Sequence, residues 1–138
     1  MKRSPMKRTK FKRKSQYEKY LDESQRKKLH RIARKLTIEI VRERDNGICV
    51  TCGKPGCEVG HFKHNCLDFD LRNNNLQCKS CNSFKSGNID QYALYLEDKY
   101  GFGILQELQQ AKIDEPKKYS IEEYEAIIDN LRYLRGEK

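Results

Sequence analysis

The sequence predicts an α+β protein, mostly helical, in which a β-hairpin and a following helix are stapled by zinc and flanked by further helices. Three observations carry that prediction. Two C-x-x-C pairs, Cys49/Cys52 and Cys78/Cys81, enclose residues 53–77, and four thiolates arriving as two tight pairs suit one tetrahedral Zn²⁺. Helical periodicity runs on both sides of this bracket. Of the 138 residues, 36% are apolar and 36% charged, which leaves little for a deep core and calls for a staple. A structural zinc supplies about 10–16 kcal/mol to such a small unit.

The elements follow in order. Residues 1–14 hold eight Lys or Arg and no acid, so 1–15 reads as a disordered basic arm suited to a polyanion, with Lys7, Arg8, Lys10, Lys12, Arg13 and Lys14 as phosphate contacts. A basic amphipathic helix is predicted over 16–46. From Ser24 onward Leu29, Ile32, Ala33, Leu36, Ile40 and Val41 mark its buried stripe, while Lys27, Lys28, Arg31, Arg34 and Lys35 lie on the other faces. Asp45-Asn46-Gly47 should end it with a left-handed cap. Residues 47–100 form the zinc-bound unit: a knuckle at Cys49–Gly53, strands at Glu58–Phe62 and Asn75–Gln77, and a helix starting near Lys79. Residues 101–138 read as a helical scaffold, broken at Gly101-Phe102-Gly103 and Pro116 and restarted by a Ser120/Glu123 capping box. The tyrosines, at helical spacing, read as core and interface residues.

Charge is uneven along the chain. Residues 1–45 carry 17 basic and 6 acidic side chains, and residues 46–138 carry 12 and 14. A basic third on a slightly acidic body points to nucleic acid. No apolar run can span a bilayer, and the polybasic N-terminus lacks the apolar segment of a secretory signal. The expectation is therefore no membrane partner, a cytoplasmic location, and cysteines that bind metal in place of disulfides. Cys57 and Cys66, outside the pairs, read as free thiols.

Cys49-x-x-Cys52, Gly60-His61-Phe62, Asn73 through Gln77-Cys78-x-x-Cys81-Asn82, and Ser86-Gly87-Asn88 together resemble the phage NinG/Rap recombination proteins. That family is an outlying branch of the zinc-containing HNH, or ββα-metal, nucleases. The resemblance covers about residues 47–100. It implies a structure-selective DNA endonuclease acting on branched recombination intermediates, Holliday junctions or D-loops, in the cytoplasm of a bacterial host. Symmetric cleavage would favour a two-fold homodimer.

Hydrolysis of a phosphodiester needs a base for the attacking water and a cation for the leaving oxygen. His61 is the candidate base, since imidazole with its ordinary pKa of about 6.5 accepts a proton at neutral pH. The resemblance implies that Asn73 braces the loop beside the histidine. It further implies that Asn82 gives an oxygen to a catalytic ion, whose hard ligands suit Mg²⁺ or Mn²⁺. Most HNH enzymes carry an acidic ligand immediately before the histidine. Here Gly60 stands there, so Asp68, Asp70 or Asn88 supplies the missing ligand, or His61 binds the ion itself. Lys79 and Lys85 flank the expected helix and are candidates to hold the scissile strand; His64 is a candidate helper, and His30 has no assigned role. Two other classes compete: a non-catalytic zinc-stapled nucleic-acid-binding protein, and an assembly scaffold whose C-terminal helices bind a partner.

Overall fold

The computed structural model describes residues 13–137. The expected contacts at Lys7, Arg8, Lys10 and Lys12, and most of the basic arm, lie outside that range. Ser15 starts the first helix: its hydroxyl accepts from the Glu18 backbone N–H and the Glu18 carboxylate accepts from the Ser15 N–H. This reciprocal cap satisfies two of the free donors of a helix start. Helix α1 then runs from Gln16 to Arg44, and Asn46 and Gly47, both at positive φ, turn the chain out of it.

Residues 48–55 form the first knuckle, closed by Cys49 N–H to Lys54 O at 2.7 Å and Gly53 N–H to Cys49 O at 2.9 Å. Strands β1 (Glu58–His61) and β2 (Asn74–Gln77) pair antiparallel, with Glu58 opposite Gln77 and His61 opposite Asn74. The expected helix after the second cysteine pair is a single wide π-type turn, Ser80–Phe84. Ser86, Gly87 and Asn88, all at positive φ, end it before α2 (Ile89–Tyr100) begins. Helix α3 spans Ile104–Asp114, and α4 spans Ile121–Leu134 behind the Ser120/Glu123 capping box. No described helix is long and apolar enough to cross a membrane.

Two apolar clusters hold these parts. Ala33 and Leu36 of α1 pack on Ile128 and Leu131 of α4, with Leu29, Ile32 and Ile127 beside them. The basic helix and the C-terminal helix, far apart in sequence, therefore share one core. Phe62 and Leu67 pack on Tyr92, Leu96, Ile104 and Leu108 to seat the hairpin on α2 and α3.

The connection from β1 to β2 has no regular structure, so its backbone must find side-chain partners. Asn73, Asn74 and Asn75 provide them, all fully buried. Asn74 donates to Leu67 O and Asp70 O, and Asn75 to Arg72 O, at 2.7–2.9 Å. Arg44, at the end of α1, ties into the same network by donating to Leu71 O, Asn74 O and Asn75 Oδ1. Tyr92 completes it from below. Its hydroxyl donates to Gly60 O at 2.8 Å and accepts from Asn75 Nδ2 at 3.0 Å, and burial holds the phenol well above its usual pKa. Tyr92→Phe removes the hydroxyl that donates to the Gly60 and Asn73 carbonyls and accepts from the Asn75 amide, which keeps only Arg72 O. The expected cost is about 1–3 kcal/mol, read as a lowered urea midpoint with unchanged zinc content; an unchanged midpoint would remove Tyr92 from this role.

Candidate active site and metal centre

The sulfurs of Cys49, Cys52, Cys78 and Cys81 all lie within 4.8 Å of one another, with Cys52 and Cys78 at 3.7 Å. Zinc–sulfur bonds of about 2.3 Å in a tetrahedron bring sulfurs to this spacing. Three of the four cysteines are buried and Cys52 is exposed. Burial alone would raise the Cys49 thiol; the Thr51 hydroxyl and backbone groups of Cys78 and Thr51 outweigh it and draw it down to about 6. Cys81 is also lowered, with the Thr51 hydroxyl as the main cause and Asn88 assisting. Cys52 moves the other way, to about 12: the Lys54 backbone contact pulls it down, and partial desolvation together with the three neighbouring thiols outweighs that pull. Four thiolates this close repel one another until a dication neutralises them, so the donor set fits zinc. Cys57 is exposed and Cys66 half-buried, both outside the cluster.

His61 ends β1. Successive side chains alternate across a strand, so Glu58 and Gly60 share one face of the hairpin while Val59 and His61 share the other. On the His61 face, Nε2 is buried without a hydrogen-bond partner among the described residues. It stands 3.5 Å from Asp68 Oδ1, close enough for charge pairing and long for a good hydrogen bond. His61 is the main cause of an Asp68 carboxyl held below its usual range, with Arg34 and His30 adding to it against partial burial. His30 reaches Asp68 Oδ2 at 3.9 Å and the Tyr124 hydroxyl at 3.2 Å. Arg34 donates to Asn74 Oδ1, on the residue opposite His61, at 3.3 Å. The basic helix thus brings an imidazole to Asp68 and a guanidinium to Asn74, the residues beside and opposite the histidine.

Asn73 holds the chain that leaves His61: its Oδ1 accepts from Lys63 N–H at 2.7 Å, and its Nδ2 donates to Lys63 O and Cys66 O.

On the opposite face, Asn82 donates from Nδ2 to Glu58 Oε2 at 2.7 Å. A side chain at Gly60 would collide with Gln77 Oε1 and lie 3.0 Å from Asn82 Oδ1. Gln77 is fully buried and its Nε2 donates to Gly87 O and Thr51 Oγ1, yet its Oε1 has no partner among the described residues. Glu58, Asn82 and Gln77 therefore bring oxygens together beside Gly60.

The structure divides the residues that the sequence grouped as catalytic-ion ligands. Asp68 faces His61. Both oxygens of Asp70 are taken by Arg72, at 2.7–3.0 Å. Asn88 donates to Cys81 Sγ at 3.5 Å. No hydrogen bond among the described residues joins Asp68, Asp70 or Asn88 to Asn82. Lys27, Lys28, Arg31, Lys35, Lys79, Lys85 and His64 are exposed, as are Arg13 and Lys14, and Arg34 is half-buried. Sequence reasoning missed Glu58, Gln77 and His30. Two-residue alternation from Gly60 was the available signal for Glu58; nothing local marks the other two.

A small helical protein built on a hairpin, with a four-cysteine centre able to hold zinc, is the class that this fold and site define. The family model described as Bacteriophage Lambda NinG protein matches residues 1–135, and the chain belongs to that family. Protein ninG of Salmonella phage P22 is 31% identical over 110 residues, covering 70% of this chain and 54% of that protein. Protein ninG of Escherichia phage lambda is 30% identical over 112 residues, covering 70% and 54%. The chain thus spans about half the length of these curated relatives. No solved structure matches it.

Proposed function

We infer that this protein is a divalent-metal-dependent DNA endonuclease of HNH type that cuts branched recombination intermediates, four-way junctions or D-loops, in a bacterial host cytoplasm. The cysteine centre, hairpin and π-type turn then act as a ββα-metal unit. One observation carries the reading: a histidine paired with a carboxylate ends β1, and oxygens from Glu58, Gln77 and Asn82 gather beside the residue before it, Gly60.

With Asp68 at Nε2, the His61 Nδ1 lone pair is the one left to take a proton from water. Asp68, 3.5 Å from Nε2, attracts a proton carried there and faces the positive charge that develops on the ring as the water is deprotonated. Arg34 offers charge to the phosphate, and Asn73 keeps the His61 loop in place. The acid that most HNH enzymes carry before the histidine has no room at Gly60, because Gln77 fills the space. Glu58, two residues earlier on the same face, supplies a carboxylate in its stead. Glu58, Asn82 and Gln77 fit a hard cation: all three offer oxygen, and the orphaned Gln77 Oε1 lacks a positive partner. Mg²⁺ or Mn²⁺ held there would neutralise charge on the leaving oxygen. Exposed cations of α1, with Lys79 and Lys85, give the DNA a basic bed whose grip weakens with salt.

The test compares cutting of labelled four-way junction and linear duplex, with Mg²⁺ or Mn²⁺ and without, by wild type and His61→Ala. Tight binding with no cutting in either metal would leave a zinc-stapled DNA-binding protein. Separately, Glu58→Gln is expected to weaken Mn²⁺ binding by about tenfold or more, measured by electron paramagnetic resonance, with zinc content unchanged. Equal Mn²⁺ affinity would remove Glu58 from the site.

A further inference from the structure

A cavity of about 820 Å³ lies between α1, the loop after His61 and the α3–α4 connection. It belongs neither to the cysteine centre nor to the oxygen cluster, yet Asp68 and His30 line it, and Asp68 is the residue 3.5 Å from His61 Nε2. Its volume falls within the range of small-ligand sites, ~300–1,000 Å³.

The lining is aromatic on one side and cationic on another. Phe69, Tyr119 and Tyr124 form a packed triad with ring centroids 5.4–6.0 Å apart. Arg26, Lys27, Arg31, Lys117 and Lys118 supply the cations. The acids in the lining are already engaged: Glu23 by Arg26 and Lys118 at 2.7 Å, Glu115 by the Leu67 N–H and the Tyr119 hydroxyl, and Asp68 by His61. Lys27, Arg31 and Lys117 have no carboxylate partner among the described residues, and Arg26 Nε is buried with no acceptor among them. Apolar rings beside free positive charge match a flat base joined to phosphate.

We propose that this cavity receives one unpaired nucleotide of the DNA, its base against Tyr119 and its phosphates toward Lys117 and Arg31. A paired base is held inside the duplex and cannot enter a concave site, whereas one at a branch point has already lost part of its stacking. Filling the cavity sets a neighbouring phosphodiester beside His61, so the cavity selects for branched structure. This rests on the nuclease reading of the His61 face.

The test is binding, with no divalent ion added, to a duplex carrying one bulged 2-aminopurine and to the same duplex fully paired. Wild type is expected to prefer the bulged DNA by about tenfold, the order of one stacked base, and to change its fluorescence on binding. Tyr119→Leu and the exposed-site variant Lys117→Ala should lose that preference while binding paired duplex within about twofold of wild type. Equal wild-type affinity for the two DNAs, or variants that weaken both alike, would overturn the proposal. A protein that fails to cut can still pass this test, and a nuclease whose variants keep the preference refutes the cavity alone.

Discussion

Stripping the metal with a strong chelator is expected to unfold the hairpin unit. The cysteine centre joins the knuckle at 48–55, the end of β2 and the π-type turn, none of which carries an apolar core of its own. The three buried residues of that cluster are Cys49, Cys78 and Cys81. Without the dication, thiolates must either take up protons or repel, and sulfurs spaced for zinc lose the reason for their geometry. Zinc in comparable sites is worth about 10–16 kcal/mol, similar to the whole stability of an ordinary domain, about 5–15 kcal/mol. Amide resonances of residues 48–88 should lose their dispersion. The α1–α4 core lacks any cysteine, so part of the helical circular dichroism should persist. Cys81→Ser should reproduce the loss, and Cys57→Ser should not. An apo protein with unchanged amide dispersion would show that the cysteines are not a staple.

His61→Ala is expected to lower cutting of branched DNA by about 10²–10⁴-fold, the usual range for a general base. DNA affinity and the urea midpoint should change little. His61 is half-buried and makes no hydrogen bond through Nε2, so its removal leaves no partner stranded except Asp68, which keeps Arg34 and His30 nearby. Asp68→Asn separates base from scaffold. The amide retains the shape but loses the negative charge 3.5 Å from Nε2, so cutting should fall while binding of Mn²⁺ and DNA holds. Normal cutting by His61→Ala would exclude the histidine as base. Loss of Mn²⁺ binding by Asp68→Asn would place Asp68 with the cation and overturn the two-face arrangement.

Much of the scaffold was legible because it depends on local rules. Periodicity marked the buried stripe of α1, Ser120 and Glu123 marked the start of α4, and Asn46-Gly47 marked the end of α1. The reciprocal cap at Ser15 and Glu18 follows the same local rule, although the apolar periodicity of α1 starts only beyond Ser24. The expected helix from Lys79 became one π-type turn because Ser86, Gly87 and Asn88 adopt left-handed backbone, and the preceding turn must also keep Cys81 beside Cys78.

What the sequence determined by itself was the chemistry available: two cysteine pairs at zinc spacing, a histidine and two amides in fixed order, and a basic first third. Those depend on residue type and short spacing, which chain order preserves. Only the tertiary structure decided which groups meet. It put Asp68 with His61 and turned Asp70 to Arg72, set Glu58 and Gln77 beside Asn82 across a ribbon, and brought His30, Arg34 and Tyr124 to one place by packing α4 on α1. Such contacts arise from strand register and from the burial of an apolar face against a distant one. Neither leaves a mark at the residue itself.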